Sequence, residues 1–197
     1  MDNFKFCQKC KRELISKEKK IDKINEIIFD SCDYIGEYRI DFRDSKERAY
    51  RSIVATSLRH FFNTVFVENL NNKGYPDIFL PLENRKHYLI ECKRLSNKNN
   101  KNILQEAFEQ LMGYSGSSHD DFFAIIIFND KQKIDLPKLT KLIKDQVNAS
   151  KNFISLSERK KTFWIIEVKK NEETFNLFLF ICECFSAPKN SKTKKKI

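Results

Sequence analysis

The chain has 197 residues, of which 41% are hydrophobic and 32% are charged, with only four glycines and four prolines. This composition excludes collagen-like, low-complexity and wholly disordered proteins, and the length suits one globular domain. Lysine and arginine number 37 against 27 acidic residues, which gives a net charge of +10. That surplus favours a polyanionic partner but carries no information about the fold.

The sequence shows no sign of secretion or of a membrane span. The amino-terminal residues run into a charged stretch without an apolar segment, and the longest apolar runs are 122–128 and 178–182. A membrane-spanning helix needs about 20 apolar residues, so we expect none. The six cysteines are then expected to be free thiols or metal ligands in a reducing compartment, which predicts a cytoplasmic protein.

The first elements predicted along the chain are two amphipathic helices. Apolar residues at helical spacing predict one helix over 11–30 and a second that starts near Asp44. Glu47 stands three residues after Asp44, which suggests a capping box, and it falls on the buried stripe of the second helix. The other side of that helix is expected to carry three arginines, Arg48, Arg51 and Arg59.

The middle of the chain changes to a strand-like pattern. Short runs of β-branched and aromatic residues within 65–95 predict three strands in a meander. A helix is expected over 103–114. The unbroken apolar run at 122–128 then predicts a central strand that is buried on both faces.

The C-terminal part is predicted to add a helix over 138–147 and a hairpin of two strands, 162–168 and 174–185. The order of elements predicts an α/β fold with a mixed central sheet flanked by helices, built as one domain over 1–187. The lysine-rich tail at 188–197 has no apolar pattern and is expected to be disordered.

Three charged residues are predicted to meet at one end of the meander. If the strands around them pair as a hairpin, Asp77 lies beside Glu91 and Lys93. Side chains alternate along a strand, so Glu91 and Lys93 project to one face. Ile90 and Cys92 then face the core. Charges in so apolar a segment need partners or a metal ion, which makes packing alone a poor explanation.

This set of side chains suits the hydrolysis of a phosphodiester. Carboxylate oxygens are ligands for Mg²⁺ or Mn²⁺, so Asp77 and Glu91 are predicted metal ligands, with the backbone carbonyl of Cys92 as a third. The ion would lower the pKa of a bound water and neutralise charge in the transition state. Lys93 would orient or help to deprotonate the attacking water, or stabilise the developing charge.

Pro76-Asp77 and Glu91-Cys92-Lys93 together resemble the motifs of the PD-(D/E)XK nuclease superfamily, which has the restriction-endonuclease-like fold. Gln110 and Tyr114 resemble the QxxxY element of its exonuclease-like and helicase-associated branches. Glu47 resembles the additional acidic residue that many members place near the metal. The likeness covers roughly Glu47 to Phe128.

The resemblance implies an αβββαβ core over about 44–130, with an added N-terminal helix and a C-terminal β-hairpin. It also implies a Mg²⁺-dependent nuclease that serves in restriction and genome defence or in DNA repair, and DNA is expected as its substrate ahead of RNA. Gln110 would organise the catalytic site. The alternative is a catalytically inactive nuclease-like module that binds nucleic acid or a protein.

Several of these residues have simpler interpretations. Glu47 could act only at the start of its helix, Tyr114 could belong to the core, and Gln110 could be an ordinary polar residue. Four cysteines are expected to be free thiols, with Zn²⁺ or an iron–sulfur cluster as the weaker alternative: Cys7, Cys10, Cys182 and Cys184.

The last predictions concern binding. Four basic residues near the motifs in sequence are candidates to grip the substrate backbone: Arg85, Arg94, Lys98 and Lys101. A chain of this length has little room for a separate recognition domain. A homodimer or a partner protein is therefore expected to supply targeting.

Overall fold

The computed structural model describes residues 5–7, 12–14, 17–39, 42, 45–67, 75–95, 100–114, 121–130, 134–170 and 172–184, with backbone alone for 5–7, 12–14, 17 and 18. Five predictions fall outside these residues and stay predictions. They concern the capping box at Asp44, Lys98, Cys10, the side chain of Cys7 and the tail at 188–197.

The described residues form four α-helices, nine strands and one 3-10 turn. In chain order the elements are β1 (Lys5–Cys7), β2 (Arg12–Leu14), α1 (Lys17–Glu37), α2 (Glu47–Phe61), β3 (Phe66–Val67), β4 (Ile78–Pro81), a 3-10 turn (Glu83–Arg85), β5 (His87–Arg94), α3 (Ile103–Tyr114), β6 (Phe122–Asn129), α4 (Leu136–Ala149), β7 (Phe153–Lys160), β8 (Phe163–Lys170) and β9 (Glu173–Glu183). Among the described residues, no helix is long and apolar enough to cross a bilayer.

Seven of these strands form one mixed sheet in the order β3-β4-β5-β6-β9-β8-β7. The pairs β5–β6 and β6–β9 are parallel, and the other neighbours are antiparallel. The predicted α/β fold with a mixed sheet is therefore confirmed. Strand β6 lies at the centre and all its residues except Phe122 are buried, which agrees with its unbroken apolar sequence.

Two hydrophobic layers cover the two faces of the sheet. Helices α1 and α2 pack on one face, against side chains that include Ile90 and Ile126. Helices α3 and α4 pack on the other, against Leu89 and Ile125. Successive residues of a strand thus alternate between the two layers, and the side of the sheet on which a functional side chain lies follows from its position in the strand.

Three details of the predicted elements were wrong. Helix α1 runs over Lys17–Glu37 instead of 11–30, because its apolar stripe continues through the fully buried Ile35. Helix α2 begins at Glu47 instead of near Asp44, and its N-cap is Lys46, which makes no side-chain cap hydrogen bond. Strand β7 was missed, because most of its side chains are exposed and polar, as is common in an edge strand.

The hairpin of β4 and β5 positions the predicted motif. Ile78 lies opposite Ile90, and Pro81 lies opposite His87. Strand β5 continues to Arg94, beyond the start of β4. Because the two strands are antiparallel, Asp77, the residue before Ile78, lies beside the last residues of β5, which have no pairing partner on β4.

Candidate active site

Asp77 is held by two donors from different elements. Its Oδ2 accepts a hydrogen bond of 2.7 Å from the backbone N–H of Cys92, which lies beyond the last β4–β5 pair. Its Oδ1 accepts from Nη1 of Arg51 on α2, in an ion pair whose two side chains are less than a tenth exposed. Burial strengthens such a pair but also makes the loss of either partner costly. The Asp77 carboxylate is thus oriented from two sides.

Lys93 contacts two other predicted site residues, Glu91 and Gln110. Its Nζ lies 2.8 Å from Oε1 of Glu91 and donates a second hydrogen bond to Oε1 of Gln110 on α3. Glu91 and Lys93 are two residues apart on β5, so they project to the same face, the one that α3 covers. Gln110 is exposed as a whole, yet its amide oxygen reaches the lysine. The structure therefore brings these three side chains together.

The protonation of Glu91 is perturbed by its surroundings. The pKa of its carboxyl is raised to about 7, first by burial and then by the charge of Asp77, while the hydrogen bond and charge of Lys93 oppose the shift. Among the described residues, its Oε2 is buried without a hydrogen-bond partner. A buried carboxylate oxygen without a donor calls for an explanation, and a metal ion is one.

Glu47, the first residue of α2, is half-buried beside the same group of charges. Burial raises the pKa of its carboxyl, and the charge of Asp77 raises it further. Lys93, Arg51 and the backbone N–H of Arg94 act in the opposite direction. Glu47 is therefore within electrostatic reach of Asp77 and of both cations of the site, and its carboxylate receives a hydrogen bond from the last residue of β5.

The oxygen donors present fit a hard divalent cation. Among the described residues, no three His, Cys, Asp or Glu side chains form a ready-made metal site. Mg²⁺ does not require one, because it commonly binds one or two carboxylates and completes its shell with water and substrate phosphate. Asp77 and Glu91 would supply these carboxylates, and the partnerless Oε2 of Glu91 is an oxygen that such an ion would occupy.

Sequence reasoning missed Arg51. We expected it on the open side of α2, but only 6% of it is exposed, and it pairs with Asp77. An apolar periodicity treats every arginine as a surface residue, so it cannot detect an arginine buried against a carboxylate. One signal was present: Arg51 is four residues after Glu47, and residues at this spacing share a side of a helix.

The remaining predicted residues differ in their contacts and exposure. Tyr114 is half-buried and packs against the apolar layer under α3. Arg94 is held by an ion pair with Asp130, which raises the pKa of its guanidinium. Arg85 and Lys101 are exposed. Their predicted contacts with a substrate stay predictions.

The four cysteines whose side chains are described, Cys32, Cys92, Cys182 and Cys184, are buried free thiols. Cys182 and Cys184 face the same way at the end of β9, with their sulfurs 3.4 Å apart. Burial raises the pKa of Cys182 and of Cys92 well above the usual range. A thiol in such a setting is a poor thiolate. Whether Cys7 and Cys10 complete a metal site with this pair stays open, because neither side chain is described.

Comparison with known proteins finds a family match in the central part of the chain. Residues 45–120 match a family model described as PD-(D/E)XK nuclease superfamily. No curated protein and no solved structure matches the chain. The matched segment runs from the start of α2 past the end of α3, so it contains every side chain of the cluster described above.

Proposed function

Because residues 45–120 match the model of the PD-(D/E)XK nuclease superfamily, we propose that this chain is a Mg²⁺-dependent nuclease that hydrolyses phosphodiester bonds in DNA. One observation carries the proposal: Asp77, Glu91 and Lys93 lie in one partly buried cluster at the end of the β4–β5 hairpin. Genome defence, including restriction, and DNA repair are the settings in which we expect such an enzyme.

The metal ligands in this proposal are Asp77 and Glu91, with the carbonyl of Cys92 and the carboxylate of Glu47 as additional candidates. When bound, Mg²⁺ would supply a water of lowered pKa and neutralise charge on the reacting phosphate. Glu91 must give up its proton to act as a ligand, and its pKa of about 7 makes this possible near neutral pH. Mn²⁺ could take the same place, since its ligand preferences are similar.

The other side chains act on water and phosphate without holding the metal. The ammonium of Lys93, fixed between Glu91 and Gln110, would orient the attacking water and balance the negative charge that forms on the phosphate. Gln110 is a positioning residue, because it contacts Lys93. Arg51 is likewise a positioning residue, because it holds the Asp77 carboxylate.

The pairing of charges supports a second candidate, a nuclease-like module that binds nucleic acid without cutting it. Arg51 and the Cys92 N–H occupy both oxygens of Asp77. A metal ion would have to displace or share one of these donors. In a module of this kind the ion pairs would serve stability alone, and divalent cations would neither activate nor stabilise the protein.

Incubation of the purified chain with linear, circular, single-stranded and branched DNA tests the first candidate. With Mg²⁺ or Mn²⁺ we expect cleavage, and we expect a loss of at least about 100-fold in Asp77→Asn, Glu91→Gln and Lys93→Met, which remove charges at the reacting phosphate. Circular dichroism would establish that each variant is folded.

Glu106→Gln is the matched control, because Glu106 is an exposed carboxylate on α3 outside the cluster. This variant should cleave at the wild-type rate. Cleavage that survives in Asp77→Asn and in Lys93→Met would refute the assignment of the site. A folded protein with no metal-dependent cleavage of any of these substrates would favour the second candidate.

A further inference from the structure

A groove on the outer side of α2 is rich in arginine. It has a volume of about 400 Å³ and lies between α2 and residues 65–67 at the edge of the sheet. Its polar lining consists of Arg48, Arg51, Ser52, Thr56 and Arg59. Among the described residues that line it, none is acidic. Three guanidinium groups and two hydroxyls are the donors with which proteins hold phosphate oxygens.

The groove is continuous with the proposed active site through one residue. Arg51 lines the groove and also pairs with Asp77. At the opposite end of the groove, the Arg59 side chain is held in place because its Nε and Nη2 donate hydrogen bonds of 3.3 and 3.2 Å to the carbonyl of Val65. A phosphate chain that lies along α2 would therefore lead to the carboxylate cluster.

One exposed aromatic ring lines the groove, and a second comes shortly before Asp77 in the sequence. Phe66 of β3 lines the groove and is 55% exposed, and Tyr75, two residues before Asp77, is 64% exposed. The ring of Phe66 rests against Phe79, with centroids 5.6 Å apart, and Phe79 in turn contacts His87. Phe66 is thus a supported ring with a free surface, which is what a stacking nucleobase requires.

We propose that the Arg48–Arg59 groove binds a single-stranded segment of DNA, with phosphates on the arginines and an unpaired base stacked on Phe66. The pairing state follows from the ring, because bases inside a duplex are already stacked on their neighbours and cannot lie flat on a side chain. Single strands combine these two kinds of contact on many proteins. The inference rests on the proposed function and specifies its substrate as DNA with an unpaired segment.

Fluorescence anisotropy tests this with labelled oligonucleotides of about 20 nucleotides, single-stranded or as the matching duplex. EDTA in the buffer prevents metal-dependent cleavage. The full chain should bind the single strand more tightly than the duplex. Phe66→Ala should weaken single-strand binding roughly five- to tenfold, as loss of a stacking ring does, and should change duplex binding by less than about twofold.

Arg48→Ala should weaken the binding of single-stranded DNA and reduce the slope of log affinity against log salt by about 0.7, the contribution of one phosphate contact. Two matched controls should retain wild-type affinity. Phe61→Ala removes another exposed ring of α2, and Lys144→Ala removes an exposed cation of α4. Equal binding of duplex and single strand, no loss in Phe66→Ala, or an equal loss in the controls would overturn the inference.

The failure of this inference can be told apart from failure of the proposed nuclease. Binding in EDTA does not depend on catalysis. A protein that binds single strands through Phe66 but never cleaves would therefore refute the proposed nuclease activity and support the binding of single-stranded DNA in the groove. A protein that cleaves DNA with Mg²⁺ but whose affinity for single strands is unchanged by Phe66→Ala would refute only the binding of single-stranded DNA in the groove.

Discussion

Three carboxylates and two cations share the candidate site, and their numbers do not balance. Arg51 pairs with Asp77, and Lys93 pairs with Glu91. Glu47 adds a third carboxylate within reach of both cations. Burial, and after it the excess negative charge, favours proton uptake, which is why the pKa values of Glu91 and Glu47 are raised. A divalent cation would supply the missing positive charge.

The raised pKa of Glu91 predicts how stability changes with pH in the absence of metal. The carboxyl keeps its proton up to about pH 7 in the folded chain, but loses it near its ordinary value of 4.5 when unfolded. Between these values the folded state binds more protons, so the free energy of unfolding should fall as pH rises from 4.5 to 7. The fall attributable to Glu91 is about 3 kcal/mol at most.

Urea denaturation in EDTA across this pH range would measure the effect. Glu91→Gln cannot ionise and should flatten the dependence, leaving a smaller slope of the same sign from Glu47. Glu106→Gln should keep the wild-type slope. A Glu91→Gln variant with an unchanged slope would show that Glu91 does not cause the effect.

The buried pair of Arg51 and Asp77 predicts that two arginines of the same helix differ strongly in how much their removal destabilises the protein. Arg51→Ala leaves the Asp77 carboxylate buried without its cation and should cost about 3 kcal/mol of stability or more. Arg48→Ala removes an exposed side chain and should change stability by less than about 0.5 kcal/mol. Equal effects of the two substitutions on the urea midpoint would contradict the assigned role of Arg51.

At the scale of elements, α2 begins without the cap that most helices have. Lys46 has the extended backbone of an N-cap residue, with φ −87° and ψ 161°, but its side chain accepts no hydrogen bond from the first turn. Its positive charge is also unfavourable at the positive end of a helix. In α4, by contrast, Oδ1 of Asp135 accepts from the N–H of Lys138 at 3.0 Å.

Lys46→Ser should therefore stabilise the protein by about 1 kcal/mol, because serine can accept from the exposed N–H groups of α2. Asp135→Ala should lose a similar amount from α4. Thermal denaturation would compare both with Lys46→Ala, which removes the charge but provides no cap. If Lys46→Ser is no more stable than Lys46→Ala, the missing cap costs nothing.

The accuracy with which the sequence predicts an element depends on how many of its side chains are buried. Strand β6 and helix α3 were predicted almost to the residue, because nearly every position of β6 is buried and α3 has a clear apolar face. Strand β7 has a single buried side chain, Phe153, so no alternation reveals it. Its place follows from pairing with β8, a contact that only the folded chain provides.

The same limit applies to the candidate site. The pairing of β4 with β5 could be predicted, so the approach of Asp77 to Glu91 and Lys93 could be predicted with it. The contact between Lys93 and Gln110 needs the packing of α3 on β5, and the burial of Arg51 needs the packing of α2 near Asp77. Both depend on helix placement, which residue spacing does not encode.

At the scale of the whole molecule, ligand binding should appear as added stability. A cation that binds only the folded site stabilises the protein by about 1.4 kcal/mol at ten times its dissociation constant. Mg²⁺ should therefore raise the melting temperature at pH 8, where the Glu91 carboxyl has lost its proton. A thermal-shift titration should show this rise in wild type and in Glu106→Gln, but not in Glu91→Gln. An equal rise in Glu91→Gln would place the cation elsewhere.

The position of β9 has a consequence for how the protein is made. This strand is the last described element along the chain, yet it lies inside the sheet between β6 and β8. During synthesis β6 leaves the ribosome long before β9, and its open edge must wait for a partner more than 40 residues further on. The nascent chain therefore carries the complete motif before it has the sheet that supports it, so the nuclease activity that we propose should arise only after translation has passed β9.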